Sequence, residues 1–189
     1  MDVSFLDVTE TSGFGDPVPL FGPPTISGNG LNFFPLTFSA TVAGGGVEQT
    51  GSQLQTTLAA TGGGVIATIA IDEFGDVDLS GVGTAATGTF VSMAGAVTVL
   101  ETTSGPIAPI VVPFAGTFTP SDLLSLPGDL GVTLWSGSVQ VDVGSVVPNA
   151  TRATLSFDND LVAASEIGTT ALVQKKTARI AVTTAEPVK

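Results

Sequence analysis

Clusters of glycine and proline recur along this sequence at the spacing of β-sandwich strands, and the chain between them alternates apolar and polar side chains. Glycine is a poor helix former, and proline breaks both the helix and the sheet ladder, so this punctuation rules out long helices. The runs left over are rich in Val, Thr, Ile and Phe, which favour a pleated, half-buried surface. Such runs occupy 3–9, 31–34, 36–38, 52–60, 65–71, 76–80, 86–91, 96–101, 107–118, 132–143, 153–157, 160–164, 170–175 and 179–183. In the 52–60 run Leu54, Thr56, Leu58 and Ala60 share a face. In the 132–143 run Trp135, Gly137, Val139, Val141 and Val143 do so. Residues 121–126 read as one helical turn. The expected fold is an all-β, two-layer antiparallel β-sandwich with jelly-roll-like connections. One domain over 1–184 and a short tail at 185–189 account for the length.

Composition narrows the chemistry. The chain has no Cys and no His, which excludes thiolate or imidazole metal centres and any nucleophile activated by histidine. Residues 1–151 carry 13 acidic side chains and no basic ones; all five basic residues, Arg152, Lys175, Lys176, Arg179 and Lys189, follow. A net charge of −12 without a basic footprint argues against nucleic acid and against an anionic membrane surface. The long uncharged segments at 17–47 and 102–121 hold five and four prolines, and 79–100 reads as strand–turn–strand, so no membrane span is expected. Met1-Asp2 opens without a basic region and an apolar run, so no signal peptide is expected there.

Calcium is the cation the oxygen-rich clusters suit, because hard cations take several carboxylate and carbonyl oxygens. In the first cluster a turn at Phe74-Gly75 would bring Asp72 opposite Asp76 or Asp78, with Glu73 beside them. It reads as a solvated acidic hairpin turn or as a calcium site. The second is Asp158-Asn159-Asp160, with Glu166 six residues on, placed between two strands. There the choice is between a side-chain-stabilised turn and a cation. Trp135 reads as core, its indole N–H then needing a partner. Among Phe14, Phe21, Phe33 and Phe34, in a loop-rich region, some are candidates for an exposed patch. Paired carboxylates are inevitable among 17 acidic residues and do not by themselves make a glycosidase. A Ser–Lys dyad on Lys175 or Lys176 is disfavoured, since neighbours on a strand point to opposite faces. No catalytic residue is assigned, and the chain is not expected to be an enzyme.

Several segments together resemble exported bacterial proteins of the PEP-CTERM group. They are 3–15, 20–29, 79–87, Trp135-Ser136-Gly137-Ser138, 156–161, 164–168 and 171–176. The resemblance implies secretion and sorting by a C-terminal Pro-Glu-Pro signal, an apolar helix and a basic end. Here only Glu186-Pro187 is retained, with no apolar helix behind it; truncation at that junction or removal during processing would explain the difference. The resemblance implies an extracellular or cell-surface protein. The reading that follows is a structural component of the cell surface or biofilm matrix that self-associates, with assembly into filaments as its extension. The alternative is a non-catalytic module that binds calcium or extracellular polysaccharide. The first strand, 3–9, is a candidate for pairing with a neighbouring subunit or within its own sheet.

Overall fold

The computed structural model of the protein describes residues 2–188; Lys189 of the basic tail lies outside them. In chain order the described residues form β1 (Val3–Ser12), β2 (Thr25–Ser27), β3 (Gly30–Phe33), β4 (Ser39–Ala43), β5 (Gly46–Ala60), β6 (Val65–Gly81), β7 (Gly88–Thr102), β8 (Gly105–Ala115), β9 (Thr117–Thr119), β10 (Leu123–Ser125), β11 (Gly131–Asp142), α1 (Val143–Val146), β12 (Ala150–Ser165) and β13 (Thr169–Ala185). One sheet has the order β1-β5-β12-β7-β10, with β8 also on β7. The other has the order β2-β3-β13-β6-β11-β9, with β4 also on β13. Every pairing is antiparallel. The two inner faces enclose one apolar core, and the expected β-sandwich is the fold.

Strand length is where the structure departs from the sequence pattern. The runs at 65–71 and 76–80 fuse into β6, those at 153–157 and 160–164 into β12, and the last two into β13. The expected hairpin at Phe74-Gly75 is therefore absent. Gly75 lies opposite Trp135 on β11, and a Cβ there would stand 2.4 Å from the indole and 2.1 Å from the Gln174 carbonyl oxygen. Close packing, not a turn, requires this glycine. Residues 123–125 likewise form β10 and not a helical turn. Their backbone pairs sideways with β7, and Leu126 N–H donates to the Thr87 carbonyl. The first strand pairs within its own chain, on β5. At the other end Asn149 clasps the backbone of Val188 in both directions, at 2.7 and 3.0 Å.

Inward registers are strict. From Ile69 onward the buried side chains of β6 are Ile69, Ile71, Glu73, Val77 and Leu79; from Ala153 onward those of β12 are Ala153, Leu155, Phe157, Asn159, Leu161, Ala163 and Ser165. On β13 the inward set runs Ala171, Val173, Lys175, then slips one residue to Ala178, Ile180, Val182. The slip is a bulge between Lys175 and Thr177, where outward-facing Lys176 is the extra, unpaired residue and the inward phase moves on by one. Each of the three central strands thus inserts one polar residue into the apolar middle of its row, the hydroxyls of Ser165 and Thr169 being inward only at strand ends.

Candidate functional site

Those three residues meet. Lys175 Nζ donates to Glu73 Oε1 at 2.7 Å and is in direct hydrogen-bonding contact with Asn159 Oδ1. Lys175 and Glu73 rise from the adjacent strands β13 and β6 of one sheet, and Asn159 descends from β12 of the other. The side chains of Lys175 and Glu73 are fully enclosed, and Asn159 is buried with them. Aromatic rings close the cage. Lys175 Nζ lies 4.6 Å from the centre of the Phe38 ring and 4.9 Å from that of Phe21, within cation–π range. Phe21 in turn packs edge-on against Phe33, Phe38 and Phe157.

Local chemistry explains why Phe21 is there. It belongs to the irregular segment after β1, whose backbone is pinned by the Glu10 carboxylate. Leu20 N–H donates to Glu10 at 2.6 Å, Phe21 N–H at 3.2 Å, and Ser52 Oγ at 2.7 Å. Lys175 is held from its backbone as well, through its N–H to the Phe38 carbonyl at 2.9 Å.

Burial dominates the electrostatics of the cluster. Removal from water pushes the Glu73 carboxyl above its ordinary range, and the charge and hydrogen bond of Lys175 only partly offset this. The Asn159 amide faces the same carboxyl and also works downward, although the pair falls short of hydrogen-bond geometry. Removal from water pushes Lys175 below its ordinary range, against the pull of Glu73, Asp160 and Glu10. Both shifts favour the uncharged forms, an amine beside a carboxylic acid. Glu73 Oε2 and Asn159 Nδ2 are buried without a hydrogen-bond partner.

The acidic residues singled out in the sequence lie elsewhere. Asp72, Asp76 and Asp78 line the outer face of β6 in one straight row, so Asp72 and Asp78 stand about 20 Å apart at ~3.3 Å per residue. Asp76 pairs with Lys176 at 3.6 Å. Asp158 and Asp160 sit in mid-strand on β12, not in a turn, and border a depression with Phe14 and Gln53. Asp158 accepts from Gln53 Nε2 at 3.1 Å, and Asp160 from Ser92 Oγ at 3.3 Å. Among the described residues no three carboxylates gather closely enough to surround a cation. Glu166 tightens a corner, accepting from Thr84 N–H at 2.7 Å and from the hydroxyls of Thr84 and Thr87.

Trp135 is core as expected, beside Phe118, but its indole N–H has no partner. Of the four phenylalanines near the N-terminus, Phe14 and Phe34 are exposed and Phe21 and Phe33 buried. Phe34, 60% exposed, and Phe74, 55% exposed, flank a cleft of about 470 Å³ on the outer face of the second sheet. Across its floor Asn32, Arg179 and Asp72 lie in register on β3, β13 and β6. Leu134, 75% exposed, is diagonal to Phe74 and, with Val132, extends this apolar strip along β11.

Sequence reasoning met Glu73, Asn159 and Lys175 without joining them. The available signal was their phase: each occupies an inward position whose nearest inward neighbours on the strand are apolar.

No family model and no curated protein matches the sequence. Similar solved structures include the enzymatically active domain of tailspike protein 4 of bacteriophage CBA120, 14% identical, with 96% of this chain and 19% of that chain covered and a TM-score of 0.26. A family 30 carbohydrate-binding module is 11% identical, with 97% and 96% covered and a TM-score of 0.31. A family 11 carbohydrate-binding module from Clostridium thermocellum, in complex with a mixed-linked tetrasaccharide, is 9% identical, with 95% of each chain covered and a TM-score of 0.22. The chain spans about a fifth of the tailspike domain it matches. Likeness at this level carries no argument about site or activity.

Proposed function

We propose that this protein is a non-catalytic structural module of the cell surface or extracellular matrix, of the kind the PEP-CTERM resemblance implies. The observation that carries this reading is the position of the enclosed Lys175–Glu73–Asn159 cluster. Its polar groups face one another across the two sheets, inside a cage of phenylalanines, where no external substrate can reach them. Chemistry directed inward ties a fold together. The exposed row of Val132, Leu134 and Phe74 supplies a surface for self-association, since apolar patches on a β-sheet face mark contact sites.

Light scattering on a sizing column with negative-stain microscopy tests the reading. Concentration-dependent oligomers or filaments that are lost in Leu134→Lys support it. A monomer at all concentrations overturns self-assembly as the role.

The cleft between Phe34 and Phe74 favours a second reading, polysaccharide binding. Two aromatic faces can stack on sugar rings, and Asn32, Arg179 and Asp72 offer donors and acceptors to hydroxyls. Saturable retention of the monomer on polysaccharide gels, abolished by Phe74→Ala, would favour this role.

A further inference from the structure

We propose that Lys175 and Asn159 become joined by an intramolecular amide bond, formed between their side chains within the folded core with Glu73 as the proton-transfer group. The inference rests on the reading of this cluster as the tie between the sheets and gives that tie a covalent form.

The geometry supplies each requirement. A nucleophile must touch its electrophile, and Lys175 Nζ contacts the Asn159 side-chain amide. A proton donor and acceptor must reach both, and Glu73 bonds Nζ at 2.7 Å through one oxygen, its other oxygen is unpartnered, and its carboxyl interacts with the Asn159 side chain. Water must be kept out, and the side chains of Lys175 and Glu73 are fully enclosed, with the Phe21 and Phe38 rings 4.9 and 4.6 Å from the amine. The unpartnered Asn159 Nδ2 marks the leaving group. Burial also favours the uncharged amine, which is the nucleophilic form, and the protonated acid.

The step balances without any further reactant. The Nζ lone pair attacks Asn159 Cγ while the Glu73 carboxylic acid stabilises the developing oxyanion with its proton. A C–N bond forms between Nζ and Cγ. Glu73 then carries one Nζ hydrogen to Nδ2, the Cγ–Nδ2 bond breaks, and ammonia leaves. The Cγ carbonyl is restored and Glu73 ends in its starting form. No oxidation occurs, and the product links β13 of one sheet to β12 of the other.

Intact-mass spectrometry of the purified full chain, fully denatured, tests this. The expected mass falls short of the sequence mass by one ammonia. Trypsin then fails to cut after Lys175, and the peptide from Ala153 to Lys176 carries the deficit. Cleavage of that peptide after Glu166 leaves two pieces that stay joined. A chain of full sequence mass overturns the bond, as does a deficit that maps to any other residue pair. Glu73→Gln should restore the full mass; retention of the deficit would overturn the role of Glu73. Asn159→Asp should lose one water in place of ammonia, because the leaving group is now hydroxide plus a proton. A full-mass chain that Lys175→Met still destabilises would keep the tie and sink only the covalent bond.

Discussion

Replacing Lys175 with methionine keeps an unbranched apolar stem of similar length and deletes only the terminal nitrogen. Glu73 then loses its hydrogen-bond partner Nζ in a site with no water access. Leaving a buried carboxyl without that partner costs about 1–3 kcal/mol. The Lys175–Asn159 link is lost too. Its ends are 16 residues apart, and closing a loop of that size removes about 3 kcal/mol of chain entropy from the unfolded state by analogy with a disulfide. The combined loss of about 4–6 kcal/mol is a large share of the 5–15 kcal/mol that holds a typical domain together. Guanidinium unfolding followed by the emission of Trp135, the single tryptophan and 2% exposed, reads this directly. In Glu73→Gln/Lys175→Met a neutral amide faces the Asn159 amide in place of the unpaired carboxyl, so the double variant should recover that part and remain about 3 kcal/mol below the parent. The single variant should also respond to pH. Lys175 is the main influence holding the Glu73 carboxyl down, so without it burial raises that group further. The folded state then holds a proton that the unfolded state releases above about 4.5, and stability should fall as pH rises from there. A Lys175→Met protein within about 1 kcal/mol of the parent, with no such pH trend, would refute the account of the cluster.

Other perturbations probe separate parts of the molecule. Gly75→Ala forces a Cβ to within 2.4 Å of the Trp135 ring and should cost about 1–3 kcal/mol or more, with a shifted Trp135 emission; parent-like unfolding would mean that the indole does not cover this strand. Glu166 is held below the usual carboxylate range, chiefly by the Thr84 N–H. Its contribution is present above the ordinary value near 4.5 and lost as pH falls through the lowered one, so acidification should lower the protection of the Thr84 amide relative to its intrinsic exchange rate; a protection factor that is flat with pH counts against the clasp. Phe74→Ala should abolish any polysaccharide retention while moving stability by no more than about 0.5 kcal/mol, because the ring is largely in solvent; retention unchanged would remove the cleft from consideration.

Much of the fold was legible from periodicity. The alternation through Leu54–Ala60 and Trp135–Val141 marks strands because the side-chain period of a sheet is two, and glycine and proline clusters mark their ends. Strand length was not legible. Phe74-Gly75 and Asp158-Asn159-Asp160 have the composition of turns, yet both lie inside long strands, because what they pack against or pair with comes from β11 in one case and from β5 and β7 in the other. Local propensity contains no information about those distant neighbours.

The outer and inner chemistry divide the same way. Alone, the sequence determined an acidic, cysteine-free and histidine-free β-rich chain, since those properties are sums over residues. It also placed Lys175 and Lys176 on opposite faces, because neighbours on a strand must alternate. Only the tertiary structure decided that Lys175, Glu73 and Asn159 meet. Their separations of 102 and 16 residues are closed by strand register, by the bulge that keeps Lys175 inward, and by two sheets stacked about 10 Å apart, close enough for a lysine to cross to an asparagine.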